Sequence, residues 1–354
     1  MDRKRNEKIE DRFAKSQNAL VLQQSDLSLA SISDMVGSEA IDISPKYQRR
    51  ERWDPTKESG LIESFLLNIP VPPIYLAEDE YGTYSVIDGK QRVTAIHRFL
   101  TGKLRLSKLD KFKELEGYAF SELPVSLSNA LKIRPYLRVV TLLRQSDPEL
   151  KHEVFLRLNK AGVALNSQEI RNVAYRGKFN DLLFDLSKNI YLNRQLKATP
   201  ASNTYKEMID VQYVLRFFTM RAYWENFQGN MDTAMDTFMK ANYKMSEKNV
   251  ELNKKIFLDA IEFCKEIWGI YGFMRPNGTT RVLQGFFDIQ MVCSTLLSAK
   301  DRANALSKKT KVRNSLIYKL ESDEGFSESL TQFTSNADNV KFRIESFCKI
   351  LREI

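Results

Sequence analysis

Histidine and cysteine are scarce in this chain of 354 residues, which has two of the first and three of the second. A zinc ion in a protein needs three or four closely spaced ligands, usually histidine, cysteine or carboxylate side chains. His97 and His152 stand apart from each other and from the cysteines, which argues against a zinc site. Cys264, Cys293 and Cys348 are isolated within apolar helical patterns, and this predicts buried, reduced thiols.

The second half contains no histidine after Asn172. Nucleases of the His-Asn-His type use histidine as general base and as metal ligand. The sequence therefore excludes a nuclease of this type from the second half, and we expect that the chain does not cleave DNA efficiently. His97, inside an amphipathic helical pattern, and His152, near a helix start, are assigned structural roles.

Long apolar runs are also absent, since no run approaches the roughly eighteen residues that span a bilayer. The first residues, MDRKRNEKIEDRF, are charged and have no apolar segment behind them, unlike a secretory signal. With 43% hydrophobic and 28% charged residues, the composition is that of a globular chain. We expect a cytoplasmic protein without a membrane partner.

Positive charge is in excess, at a net +9, and it is concentrated in two runs. Gly89–Lys113 holds eight basic residues and one acidic residue, and Lys300–Arg313 holds six and one. Such a run is either a solvated face or a contact surface for a polyanion such as DNA. The candidate nucleic-acid contacts of the first run are Lys103, Arg105, Lys108, Lys111 and Lys113.

The order of elements predicts an α+β fold. Short strands alternate with helices in the first half, at Ile41–Ile43, Ile74–Ala77, Tyr84–Ile87 and Tyr136–Leu143. A helix begins at Asp54-Pro55, and a less regular basic insertion covers 104–131. From Ser167 onward apolar residues recur almost entirely at helical spacing. We therefore predict an N-terminal extension (1–40), an α+β domain (41–166) and an α-helical domain (167–354).

The apolar faces of the predicted C-terminal helices are assigned to the core rather than to a stacking platform for bases. Three such faces repeat at helical spacing. They comprise Met208, Val211, Leu215 and Phe218; Phe257, Ala260, Ile261, Cys264, Trp268 and Tyr271; and Val340, Ile344, Phe347 and Leu351.

The most informative stretch is Tyr84–Leu100, YSVIDGKQRVTAIHRFL, in which an apolar strand turns into an amphipathic helix. The N-terminus of a helix presents backbone N–H groups and a positive dipole, so this corner suits an anion such as a phosphate. Gly89 allows close approach, Lys90 and Arg92 neutralise phosphate charge, and Asp88 can hold a metal ion or a water molecule. A plain polar turn in which Asp88 caps the helix is the alternative.

Two further polar clusters interrupt the core pattern. The first is Tyr47-Gln48-Arg49-Arg50 with Trp53, directly after the first predicted strand. The second is FLRLNKAGVALNSQEIRN, from Phe155 to Asn172, where a helix ends at Asn159 and Ala161-Gly162 forms a turn. Asn159 is either a ligand-facing amide or a simple C-terminal cap.

In this order the three clusters resemble the N-terminal domain of GmrSD-type, modification-dependent restriction enzymes, a family with P-x-YQR-x(3)-W, DGQQR and F-x-x-x-N-x-x-G motifs followed by QEIR. Here the pieces are Pro45–Arg49 with Trp53, Asp88–Arg92, and Phe155–Asn159 with Gly162. The resemblance implies a ParB/sulfiredoxin-like fold and a nucleotide-binding or nucleotide-hydrolysing core used in anti-phage defence. The helical remainder resembles that of free-standing members, which lack the C-terminal His-based nuclease domain.

The resemblance also implies roles for the residues of the corner. Asp88 would hold Mg²⁺ or water, Gln91 would orient the attacking water, and Lys90 with Arg92 would hold the phosphates of a nucleoside triphosphate. One departure is that Lys90 replaces the first glutamine of the family motif. Lysine adds affinity for phosphate but removes an amide that could position water.

Residues of the other two motifs would complete the pocket. By the resemblance, Gln48 and Arg49 lie beside the corner, and Asn159 hydrogen-bonds the nucleotide.

Two function classes follow. The first is a nucleotide-dependent switch or triphosphatase that acts with DNA or a partner effector protein, favoured by the pairing of Asp88 with Gln91. The second is a nucleic-acid-binding module without turnover, favoured by Lys90 and the basic run behind it. A ParB-like nuclease that cuts through Asp88 is a third, weaker reading.

Overall fold

The computed structural model describes residues 2–43, 53–147, 150, 153, 154, 157, 158, 166–276, 278, 280–332 and 334–354. The chain divides into two compact units, Met1–Asn166 and Ser167–Ile354. The first unit combines helices with a five-stranded sheet, and the second is helical. The predicted α+β class is confirmed.

The first unit contains five helices and five strands among its described residues. In chain order they are α1 (Asp2–Ala19), β1 (Leu22–Ser28), α2 (Leu29–Gly37), β2 (Ile41–Asp42), α3 (Pro55–Leu66), β3 (Ile74–Glu80), β4 (Thr83–Asp88), α4 (Lys90–Leu100), α5 (Val125–Ile133) and β5 (Tyr136–Leu142). The predicted start of α3 is confirmed, because the Asp54 side chain accepts a hydrogen bond from the Lys57 N–H and Pro55 occupies the first turn.

The sheet has the strand order β1-β5-β3-β4-β2. β3 and β4 form an antiparallel hairpin, and β5 lies parallel to β3 on its other side. β1 closes one edge antiparallel to β5, and the short β2 closes the other edge parallel to β4. The hairpin register is irregular between Tyr75 and Leu76, where Tyr75 lies opposite Asp88.

One face of the sheet packs against helices and forms the main core of this unit. Alternate residues of the strands, such as Ile74, Leu76 and Val86, share this core with apolar residues of α2, α3 and α4. Val93, Ile96 and Phe99 of α4 are at most 1% exposed. Burial of this apolar stripe fixes the direction in which α4 leaves the corner.

Residues 22–37 of the predicted extension are part of the sheet and the core. β1 pairs with β5 along its length, from Leu22 opposite Leu142 to Ser28 opposite Tyr136. α2 buries Leu29, Ile32 and Val36. The sequence LQQSDLS of β1 lacks a clear alternation of apolar and polar residues because this edge strand is largely exposed.

The predicted insertion 104–131 contributes leucines and a phenylalanine to the core, with Leu104, Leu106, Leu109, Leu115 and Phe120 all buried. Polar side chains of α3 hold its irregular backbone. The Ser59 hydroxyl accepts the Ser107 N–H at 3.0 Å. The buried Glu63 carboxylate accepts three N–H groups, from Asp110 at 3.1 Å, Lys111 at 2.7 Å and Phe112 at 2.9 Å. α3 therefore holds part of the segment 103–113, which we call the basic loop.

The pKa of Glu63 reflects this arrangement. Burial by itself raises the pKa of a carboxyl group, but the N–H groups of residues 110–112 and the charge of Lys111 outweigh burial and hold the pKa below the usual 4.5. Glu63 is therefore ionised at neutral pH inside the folded unit.

The second unit contains twelve helices among its described residues. They are α6 (Ser167–Ala174), α7 (Lys178–Leu186), α8 (Ile190–Leu196), α9 (Asn203–Lys206), α10 (Ile209–Tyr223), α11 (Met231–Asn242), α12 (Glu247–Trp268), α13 (Gln284–Leu296), α14 (Ala299–Ser307), α15 (Lys309–Ser322), α16 (Glu324–Thr331) and α17 (Ala337–Arg352). In the described part of the chain, no helix combines the length and apolar character that a bilayer crossing requires.

The predicted helical faces form the core of this unit, and Cys264, Cys293 and Cys348 are buried as predicted. Tyr271 is an exception, because α12 ends at Trp268 and leaves Tyr271 66% exposed. Gly269 ends the helix, which takes Tyr271 off the predicted face.

A buried ion network crosses this helical core. Arg216 of α10 makes two hydrogen bonds of 2.7 Å with Asp288 of α13, and Arg343 of α17 reaches the same carboxylate at 2.5 Å. Removal of Asp288 would leave two buried cations unpaired, which is strongly destabilising.

We predict that Glu63→Gln loosens the basic loop, because an amide nitrogen would face N–H donors that now bond a carboxylate. The expected loss is about 1–3 kcal/mol of local stability. At pH 7 this corresponds to roughly tenfold to hundredfold faster hydrogen exchange at Asp110, Lys111 and Phe112. Glu116→Gln is the matched control, since the Leu109 N–H is the one donor that Glu116 accepts among the described residues. Unchanged exchange at residues 110–112 would contradict the role of Glu63.

The difference in stability between the parent protein and Glu63→Gln also depends on pH. Because the pKa of Glu63 is lowered on folding, its carboxylate stabilises the unit above pH 4.5, and that contribution is lost as the pH falls through the folded-state pKa. The stability difference between the parent protein and Glu63→Gln is therefore expected to narrow on acidification.

Candidate functional site

The strand-to-helix corner is built around a left-handed glycine. β4 ends at Asp88, Gly89 has φ +94°, and α4 begins at Lys90. A β-carbon at position 89 would lie 3.0 Å from the Ile74 side chain and 3.0 Å from the Arg92 guanidinium. Any other residue would meet both the unfavourable φ and these contacts, so the turn depends on glycine.

Asp88 and Arg92 close the corner with an ion pair. Arg92 Nη2 donates to Asp88 Oδ2 at 2.7 Å, and Arg92 Nη1 donates to the Pro72 carbonyl at 3.2 Å. The Arg92 side chain is only 12% exposed, whereas Asp88 is 43% exposed. Asp88 is not the helix cap, because Gly89 occupies that position without a side-chain hydrogen bond. The alternative reading of Asp88 as a cap is therefore wrong.

Gln91 joins the corner to Trp53 of the first polar motif. The Gln91 Oε1 atom accepts a hydrogen bond from the backbone N–H of Trp53 at 3.1 Å. Lys90 and Gln91 are half-buried in the first turn of α4. Trp53 therefore lies at the corner, a contact that sequence spacing alone does not require.

The charges at the corner are suited to an anionic ligand, such as a phosphate, that binds together with a metal cation. The N-terminus of α4 adds its positive dipole to the charges of Lys90 and Arg92, and Asp88 provides the one carboxylate among these residues. Within the described residues, no three His, Cys, Asp or Glu side chains converge as metal ligands. A single carboxylate fits Mg²⁺ that arrives bound to phosphates, since Mg²⁺ is commonly held by one or two carboxylates together with substrate oxygens.

Several predicted site residues lie outside the described residues, namely Gln48, Arg49 and Asn159. His152 lies outside them as well. His97 lies on α4, where its Nδ1 atom is 3.2 Å from both the hydroxyl and the carbonyl oxygen of Ser33 on α2. This contact between helices agrees with the structural role predicted for His97.

The first basic run presents Lys103, Lys108, Lys111 and Lys113 on the surface of the unit. Arg105 is exposed too, but its guanidinium already bonds the Glu122 carboxylate at 2.8 and 3.0 Å and the Gly117 carbonyl at 2.6 Å. The four lysines therefore carry most of the charge that a polyanion could contact.

The second basic run serves largely to pack its own unit. Arg302 bonds the carbonyls of Ser294 and Asp259 and lies over the Phe263 ring. Lys308, Lys309 and Arg313 bond the Ile354 carbonyl, the Glu266 carboxylate and the Ile267 carbonyl, respectively. Most of its charges therefore have partners within the helical unit.

The QEIR segment has a structural role that its sequence did not reveal. Arg171 of α6 is fully buried and bonds Asp232 and Asp236 of α11 at 2.5 and 2.6 Å. Gln168 is also buried and donates to Asn172 at 2.9 Å. The partners of Arg171 lie more than sixty residues away in the chain, so no local signal could identify them.

We predict that Gly89→Ala destabilises the first unit more than Gly102→Ala does. Both glycines have positive φ, +94° and +73°, but a β-carbon at position 102 would meet nothing within 4 Å. The shared strain of about 1–2 kcal/mol cancels in the comparison, which isolates the contacts with Arg92 and Ile74. The measurement is hydrogen exchange of the peptides that cover β4 and α4. Equal effects of the two substitutions would show that these contacts are unimportant.

The comparisons with known proteins concern this corner directly. A family model described as GmrSD restriction endonuclease, N-terminal domain, matches residues 32–176. The searches of curated proteins and of solved structures give no significant match. The matched range begins in α2, includes the Asp88–Arg92 corner and the basic loop, and ends just after α6. Residues 32–176 of this chain therefore match the N-terminal domain family of the GmrSD restriction endonucleases.

Proposed function

We propose that this protein is a nucleoside-triphosphate-binding switch of a restriction-type defence system, and that it hydrolyses the nucleotide with Mg²⁺ at the Asp88–Arg92 corner. The family assignment supports the role in restriction or anti-phage defence. The nucleotide site rests on one observation, the partly exposed Asp88 carboxylate at the N-terminus of α4 beside Lys90.

The corner offers the positioning and charge that phosphoryl transfer requires. When bound with the nucleotide, Mg²⁺ supplies charge neutralisation at the phosphate oxygens, and Asp88 would be its protein ligand. Lys90 and the first turn of α4 hold the phosphates, while Gly89 keeps a side chain away from them. The Trp53 N–H fixes the orientation of the Gln91 amide, which is suited to directing a water molecule.

A nucleic-acid contact by the basic loop is the second part of the proposal. The loop presents four exposed lysines on a backbone whose N–H groups are bonded by Ser59 and Glu63. A preorganised loop loses less conformational entropy on binding than a free one. DNA is the partner proposed for this surface, and nucleotide turnover would gate that contact or the action of an effector protein.

We predict that the full chain binds at least one of ATP, GTP, CTP and UTP with Mg²⁺, and that Lys90→Ala weakens this binding. Loss of a charge-assisted contact of about 1.5–3 kcal/mol corresponds to roughly tenfold to hundredfold lower affinity. Calorimetry with each nucleotide is the measurement, and phosphate release then tests turnover. Lys349→Ala on α17 is the control for loss of one exposed positive charge.

The nucleotide prediction has a clear negative outcome. The proposal is rejected if none of the four triphosphates binds, or if Lys90→Ala and Lys349→Ala bind the nucleotide equally well.

We also predict that the loop lysines contribute to DNA binding through contacts with phosphates. Each neutralised phosphate adds about 0.9 to the slope of log affinity against log salt concentration on duplex DNA. The triple variant Lys108→Ala, Lys111→Ala and Lys113→Ala should therefore lower the slope by about 2.7. The matched control is Lys248→Ala, Lys255→Ala and Lys341→Ala, at three exposed lysines of α12 and α17. Equal slopes for the two triple variants would show that the lysines of the basic loop make no specific contacts with DNA phosphates.

A further inference from the structure

The guanidinium of Arg92 is already bonded to other groups of the fold. Its guanidinium makes an ion pair with Asp88, donates to the Pro72 carbonyl and lies over Gly89, where a β-carbon would be 3.0 Å from Nη2 and 3.1 Å from Nε. The guanidinium therefore already has three neighbours from the fold, namely the Asp88 carboxylate, the Pro72 carbonyl and the Gly89 backbone.

These contacts join two segments that are separate in sequence, the 88–92 corner and the connection that contains Pro72, twenty residues before Arg92. Asp88 ends β4, Pro72 belongs to the connection between α3 and β3, and Arg92 lies in the first turn of α4. A bidentate, planar guanidinium can bridge such segments, and a lysine could not make both contacts with the same geometry. Arg92 thus holds the corner against the connection between α3 and β3.

Arg92 and Asp88 differ in exposure to solvent, which indicates different roles. Arg92 is 12% exposed, and both of its terminal nitrogens already donate to the fold, so little of the guanidinium is open to a ligand. Asp88 is 43% exposed, although its Oδ2 atom is held by Arg92. Carboxylates that bind metal ions are commonly oriented by a second hydrogen bond of this kind.

We propose that Arg92 is a positioning residue: it orients the Asp88 carboxylate and anchors the Pro72 connection, and it does not contact the phosphates. The phosphate contact at this corner then belongs to Lys90 and the N-terminus of α4. This inference rests on the proposed nucleotide site, and it specifies how the residues of that site divide their work.

The two roles for Arg92 predict different dependence on Mg²⁺. If Arg92 acts through Asp88, Arg92→Gln should weaken triphosphate binding about tenfold with Mg²⁺ and have no effect in EDTA. Asp88→Asn should behave in the same way, and the double variant should be no weaker than either single variant. A direct phosphate ligand would instead lose affinity in EDTA too, and its loss would multiply with that of Asp88→Asn.

The experiment is therefore a double-mutant cycle of Asp88→Asn and Arg92→Gln, measured by calorimetry with and without Mg²⁺ on the full chain. Arg138→Gln is the control, because it also removes an arginine that pairs with an aspartate, Asp26, away from the corner. Multiplicative losses, or equal losses in EDTA, would overturn the inference. Arg92→Lys provides a charge-retaining variant, for which we expect the loss that Arg92→Gln shows.

A second readout does not need a nucleotide. Arg92→Gln should accelerate hydrogen exchange in the peptide that covers residues 64–77, because the bond to the Pro72 carbonyl is lost, whereas Arg138→Gln should leave it unchanged. Unchanged exchange in Arg92→Gln would overturn the anchoring role. If no triphosphate binds but this exchange changes, the proposed function fails while the anchoring role of Arg92 stands.

Discussion

The left-handed turn at Gly89 and the Asp88–Arg92 ion pair that spans it determine the geometry of the candidate site. The turn directs β4 into α4, and burial of Val93, Ile96 and Phe99 then fixes the axis of that helix. The guanidinium lies only 3.0 Å from the position that a β-carbon at residue 89 would take. Glycine and arginine are thus two parts of one packing arrangement, and Lys90 and Gln91 take their positions from it.

The regular elements that form the corner could be predicted because their signals are local. The strand before Asp88, the amphipathic pattern after it and the Asp54-Pro55 helix start each depend on a few neighbouring residues, and the structure confirms all three. The contacts of individual side chains were harder to predict, because their partners can lie far away in the sequence. Arg92 was assigned to phosphate from its charge, but its contacts with Pro72 and Ile74 depend on a connection twenty residues earlier.

Features that depend on distant partners were not predictable from residue patterns. In the sequence, nothing distinguishes Glu63 from the other charged residues of α3. In the structure it is buried and accepts three backbone N–H groups from residues nearly fifty positions away. Arg171 reads as part of a polar motif, yet it is fully buried against α11. β1 has too little burial to show alternation, and only its pairing with β5 reveals it as a strand. In each case the deciding contact joins residues that are far apart in the chain.

The central claim is that the Asp88–Arg92 corner is where this protein binds a nucleoside triphosphate. The most direct test is hydrogen exchange of the full chain, measured peptide by peptide, with and without each triphosphate and Mg²⁺. We expect that a nucleotide which binds protects the peptides that cover residues 86–94 and leaves the peptides of α12 and α17 unchanged. Saturating nucleotide that protects other parts of the chain but not residues 86–94 would contradict it.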